Sequence, residues 1–203
     1  LGKATMQTIV PLDENNQQDF VKVTVDKFYR VTGKSSQYKG IEPDVEMPVF
    51  FDKLLPRESS MPTAMRNDSI DFNLKFKNLP KEPLGQAAQL SRKRVEQNPD
   101  FVQVKNINNR VNSLLLKEKK PLPLTFDAVF TDVHSMDDIW KDINNASEKQ
   151  QPIVIRNTTY ASELILKDEY LKNSFEHKMK SIKNDPYISE GLRILYDLHD
   201  LSN

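Results

Sequence analysis

Valines at 21, 23 and 25 alternate with Lys22, Thr24 and Asp26, the two-residue period of a half-buried strand, and Phe28, Tyr29 and Val31 continue it. A β-prone run over 3–10 precedes it and stops at Pro11, with the polar stretch 13–18 as the loop between them. Turn chemistry follows at Thr32-Gly33-Lys34-Ser35-Ser36. Residues 41–47 hold Pro43, which a central ladder would not tolerate, so they read as an edge strand or an extended wrap-around segment. Prolines 48, 56, 62, 80 and 83 then punctuate a connector, in which Asp68-Ser69-Ile70-Asp71-Phe72 is an apolar island suited to docking.

From about residue 85 the period becomes helical. A polar helix opens over 84–96. Asn98-Pro99-Asp100 combines an N-cap, a first-turn proline and an acid at the positive end of the dipole. Val104, Ile107, Val111, Leu114 and Leu115 follow on one face. Pro121 and Pro123 break that helix, and Asp137-Asp138-Ile139-Trp140 starts a short one. Leu164, Leu171, Phe175, Met179 and Ile182 predict one long helix; Asp185-Pro186-Tyr187 starts the last, with Ile188, Leu192 and Leu195 as its face. These faces are expected to pack into a single core. The fold class is therefore α+β: a few strands followed by a mainly α-helical domain. The domain division reads 1–55, a connector over 56–84, and a helical domain over 85–203.

Composition narrows the function classes. The 203 residues carry 29 basic and 29 acidic side chains, no cysteine, twelve prolines and five glycines. Acids and bases balance in residues 1–80 as in 81–203, so the basic asymmetry of a nucleic-acid binder is missing. Without cysteine there is no disulfide framework, thiol nucleophile or thiolate metal site. The uncharged apolar runs are too short for a membrane span. Residue 1 is leucine, which reads as a piece of a longer protein.

Few residues offer chemistry. His134, His177 and His199 have no paired metal-ligand spacing and read as solvated. Asp137, Asp138 and Asp142 read as helix-starting acids, not a cation site. Trp140 reads as a core anchor, and 117–120 as a solvated helix end. Asn157-Thr158-Thr159 matches a glycosylation acceptor. Ser35, Ser36, Ser59 and Ser60 sit in turn or connector contexts unsuited to a nucleophile. No cofactor or metal set is expected.

An ordered series of short motifs says more. Gly2-Lys3-Ala4-Thr5-Met6-Gln7 is followed by Lys27-Phe28-Tyr29-Arg30, then Gly40-Ile41-Glu42-Pro43-Asp44. Farther on come Asn98-Pro99-Asp100-Phe101 and Asp185-Pro186-Tyr187. The series resembles the end of the catalytic domain and the helical C-terminal domain of the tail-specific, or carboxy-terminal processing, proteases. It is strong over 2–48, looser over 85–203, and weakest over 120–165. Ala4, Met6 and Leu1 depart from the commoner glycine, valine and phenylalanine without removing a reacting atom.

The resemblance implies a periplasmic serine endopeptidase with a Ser–Lys dyad. Residues 1–55 become the end of its catalytic domain, Lys3 its general base, and Gln7 the residue that positions the lysine amine. A buried amine of lowered pKa can take a hydroxyl proton, which gives the lysine its use. The nucleophilic serine is expected some twenty-five residues upstream of Lys3, so this chain alone is expected to be inactive. Implied partners are protein substrates with nonpolar C-termini, with an adaptor protein and a second copy of the chain as further candidates. The competing reading is a non-catalytic helical scaffold or protein-interaction domain.

Overall fold

The computed structural model describes all residues except 1–4, 14, 15, 72–74, 76, 78, 79, 117, 119 and 120. They form two compact units, one of residues 1–43 with 55–81, the other of 44–54 with 82–203.

In the first unit, β1 (Thr5–Asp13) pairs antiparallel with β2 (Asn16–Lys27), Val10 lying opposite Val21. The expected stop at Pro11 does not occur. The strand runs through it to Asp13, and the ladder absorbs the proline at an irregularity between Pro11 and Asp13, as an edge strand allows. β2 ends earlier than its valine period suggests, at Lys27. Beyond it Tyr29 makes an isolated bridge to Ser35 around a turn in which Gly33 holds φ 73°, a left-handed conformation that glycine adopts without a Cβ clash. The half-buried reading of β2 is corrected: Val21, Val23 and Val25 are 44, 42 and 54% exposed. Phe20, on the same strand, is exposed as well.

The apolar island at 68–72 docks, as its composition predicts, through its described part. Ser35 N donates to Asp68 O, Ile70 N donates to Gly33 O, and Lys34 bridges to Ser69. Phe72 lies outside the described residues.

The second unit is helical: α1 (Leu84–Gln97), α2 (Pro99–Leu115), α3 (Phe126–Val133), α4 (Asp137–Ser147), α5 (Thr159–Ile165), α6 (Glu169–Lys183) and α7 (Pro186–Ser202). Both cap-then-proline starts form. Asn98 Oδ1 accepts from Asp100 N at 2.9 Å, and Asp185 Oδ1 from Tyr187 N at 2.7 Å. The single helix expected through Leu164 and Ile182 is two, because Asp168 caps a new start by accepting from Tyr170 N and Leu171 N. Thr125 likewise caps α3, a helix the periodicity reading does not contain.

Ile107 and Val111 from α2 and Ile139 from α4 are buried together, with Phe50, Phe51, Leu54, Met136 and Ile143 packed against them. Residues 41–47 form no strand; the wrap-around alternative describes the stretch just after them. Buried Asn108 donates from Nδ2 to Val49 O and accepts from Phe51 N, both at 2.8 Å, and Tyr187 donates its hydroxyl to Pro48 O at 2.6 Å.

The α7 face is also corrected. Ile188, Leu192 and Leu195 are exposed, while Ser189, Glu190 and Ile194 are buried, and α7 packs on α1, whose Ala87, Ser91 and Val95 are buried. Leu171, Phe175, Met179 and Ile182 are only partly buried, so α6 adds no buried residue to the core. Trp140 is half exposed, 5.5 Å from the Phe51 ring, where a core anchor was expected.

Candidate functional site

Of the two residues expected to form the site, Lys3 lies outside the described residues. Gln7 is described. It sits on β1 directly opposite Thr24, exposed, and its Nε2 donates to Thr24 Oγ1 at 3.5 Å. The ladder shifts register between Met6 and Gln7, a local bulge that re-aims the side chain at that position.

At the far end of the ribbon, the Lys27-Phe28-Tyr29-Arg30 motif is tied down by one carboxylate. Lys27 Nζ lies 3.0 Å from Asp68 Oδ2 and also donates to Arg66 O, while Tyr29 OH donates to the same Asp68 oxygen at 3.2 Å. Loss of hydration, followed by the adjacent Asp68 charge, pushes the Tyr29 phenol above its ordinary value of 10.0. Lys27 and Tyr29 therefore hold the strand end in place. Nothing in the local pattern marks Asp68 as their partner, since it arrives from 39 to 41 residues away.

Two of the turn and connector serines have defined hydroxyl partners. Ser35 is buried, with its Oγ accepting from Gln37 N, and Ser60 Oγ donates to Arg57 O at 2.6 Å. Among the described residues no group of three or more His, Cys, Asp or Glu side chains can hold a metal ion. His134 stacks on Phe130 with its Nδ1 on Phe130 O, and His199 contacts Asn203.

The second unit carries a concavity of about 450 Å³ where the ends of α2, α4, α6 and α7 meet. Phe50, Val104, Ile143 and Tyr187 give it apolar walls. Burial, and next to it the Asp185 charge, raise the Tyr187 phenol above 10.0, so its hydroxyl stays a donor to Pro48. Asn184, 5% exposed, also lines the space, and its Oδ1 has no donor among the described residues. An unmade hydrogen bond of that kind costs about 1–3 kcal/mol. Sequence reading did not find this site, because its residues come from four helix ends and one distant loop.

No described helix is long and apolar enough to cross a membrane. A family model described as the C-terminal domain of tail specific protease matches residues 51–200.

Proposed function

The chain belongs to the family of the tail-specific protease C-terminal domain, and from that premise we propose that it is the C-terminal part of a periplasmic serine endopeptidase. In this reading the enzyme is a hydrolase that uses a Ser–Lys dyad on proteins with nonpolar C-termini. Lys3 is the general base. Gln7 orients its amine, and a segment upstream of residue 1 brings the serine, so the 203 residues alone do not cleave peptides. Residues 1–55 are the end of the catalytic-domain sequence, of which 44–54 pack with the helical unit; 56–84 connect, and 85–203 form the helical domain.

The observation that carries the reading is the family match over 51–200, to which the Gly2-Lys3 to Gln7 motif series is joined directly upstream. The ribbon supports it. Met6, Ile9, Val10, Phe20, Val21, Val23 and Val25 are all at least 42% exposed on two strands. A two-stranded ribbon is marginal in water by itself, so such surface suits a sheet completed by further catalytic-domain strands.

The chemistry sets the test. A lysine amine acts as a base only when neutral, and burial is what lowers its pKa. In the complete protein, Lys3→Ala is expected to abolish cleavage of an unfolded protein substrate, and Gln7→Ala to lower kcat with a smaller effect on KM. Turnover that survives Lys3→Ala, or turnover by the 203-residue chain alone, would overturn the dyad. A second reading, a bracing or partner-binding role for the helices, is favoured by the separate buried cluster of Ile107, Val111 and Ile139. It is compatible with the first and predicts that the helical unit folds without catalytic residues.

A further inference from the structure

Residues 152–157 (Pro-Ile-Val-Ile-Arg-Asn) lie between α4 and α5 in no regular element, yet they carry the mark of a strand. Burial alternates residue by residue: Gln151 is buried, Pro152 exposed, Ile153 half-buried, Val154 exposed, Ile155 half-buried and Arg156 exposed. That two-residue period belongs to a β-strand resting one face on a support, and isoleucine and valine favour such a backbone. The support is α6. Ile153, Val154 and Ile155 line a concavity of about 380 Å³ together with Met179, Lys180 and Lys183. Gln151 N fastens the start of the segment by donating to Lys183 O at 2.8 Å.

In a strand the side chains occupy the two faces and the backbone groups project sideways toward neighbours. Here the neighbours are missing. Among the described residues, the amides of Val154, Ile155, Arg156 and Asn157 donate to nothing, and the carbonyls from Ile153 to Asn157 accept nothing. Val154 is 85% exposed beside them. A row of unpaired backbone groups with apolar side chains is a template for another extended chain. Charge selects which chain. No Asp or Glu occurs over 149–162, or in α6 after Glu176. Lys180 shares the neighbouring concavity with Glu148, which leaves Lys183 and Arg156 as exposed cations without an ion pair among the described residues.

We propose that residues 153–157 are an open strand edge that takes up an extended segment of a partner polypeptide, one whose apolar side chains alternate with polar ones that include an acid. Backbone hydrogen bonds give the pairing, the Ile-Val-Ile run gives the apolar contact, and Lys183 and Arg156 favour the acidic residue. A second copy of this chain would bring the same two cations and no acid, so the occupant is a different polypeptide. The site is independent of the Ser–Lys dyad.

Titration of the isotope-labelled 203-residue chain with the peptide acetyl-Thr-Val-Glu-Val-Thr-Val-amide tests the proposal by NMR and amide hydrogen exchange. Saturable shifts are expected over 153–157. Exchange should slow at alternate amides, either Val154 with Arg156 or Ile155 with Asn157, because successive residues face opposite edges. Two peptides N-methylated on alternate residues should then differ: one loses binding at least tenfold, and the other stays within twofold. Replacing the peptide's glutamate by lysine should weaken binding roughly 2–5-fold, the effect of an exposed charge pair. Loss of binding in both N-methylated peptides or in neither would overturn strand addition, as would exchange that slows at no amide of 154–157 or at all of them. Equal binding of the lysine peptide would overturn the acidic preference. A chain that dimerises without peptide in sedimentation, with the same amides protected, would show that a second copy is the occupant and overturn the proposal.

Discussion

Asn108 is 7% exposed and does for the 49–51 segment what a neighbouring strand would do, giving one donor and taking one. Phe51, held this way, sits at φ 59°, a conformation that costs of order 1–3 kcal/mol and persists only when its surroundings enforce it. Asn108→Ala leaves the part-buried Val49 carbonyl and Phe51 amide without their side-chain partner. It should lower the unfolding free energy by about 2–3 kcal/mol, read as a shift in urea midpoint at unchanged slope. Tyr187 sets the alkaline limit of the same region. Its phenol titrates higher folded than unfolded, through burial and then Asp185. The contribution is therefore complete below the unfolded value of 10.0 and is lost as pH rises through the folded one. Tyr187→Phe should cost about 1 kcal/mol near neutrality, for the lost bond to Pro48, and should flatten the loss of stability above pH 10.

Between α1 and α7, Arg94 reaches two carboxylates, 2.7 Å from Glu190 and 2.6 Å from Asp197. Burial alone would lower the guanidinium's pKa, but the hydrogen bonds to Glu190 and Asp197 more than reverse it, leaving Arg94 raised above its ordinary value. A base raised in the folded state stabilises below its unfolded value and fails only as pH passes the folded one. Below pH 12 the arginine's own titration therefore gives no pH dependence. Arg94→Met should cost about 3–5 kcal/mol, because it leaves the Glu190 carboxylate buried and alone. Glu190→Gln should cost less, since Arg94 keeps Asp197; thermal midpoints in that order would check the geometry. The same contact explains why hydrophobic period misplaces α7. Its buried face runs through Ser189 and Glu190, and the apolar stripe of Ile188, Leu192 and Leu195 points outward. Helix starts were legible because capping is local: Asn98 and Asp185 each bond an amide two residues on. Asp168 and Thr125 are caps of the same kind that an apolar-period reading passes over. The candidate catalytic pair was legible only through motif order. Gln7 alone is an exposed strand residue bonded to Thr24, and neither period nor charge distinguishes it.

Across the whole chain, the boundary that matters for independent folding differs from the one suggested by composition. Proline spacing places a connector between strands and helices, yet residues 44–54 form one compact unit with 82–203. The reason is packing at a distance: Phe50, Phe51 and Leu54 lie against Ile107, Val111 and Ile139, and Pro48 and Val49 accept bonds from α7 and α2. Residues 80–203 alone would expose that cluster and strand the Asn108 and Tyr187 polar groups. Burying a Phe or Leu side chain contributes about 1.5–3 kcal/mol, so losing three such partners removes a large part of the 5–15 kcal/mol typical of a domain. A truncated chain beginning at residue 44 should unfold cooperatively, with a thermal midpoint near that of the full 203 residues. One beginning at residue 80 should melt broadly or at least 10 °C lower, at roughly 2–4 °C per kcal/mol for a domain of this size. Equal midpoints for the two truncations would show that residues 44–54 lie on the helices without stabilising them, and the unit would then have to be redrawn to begin at α1.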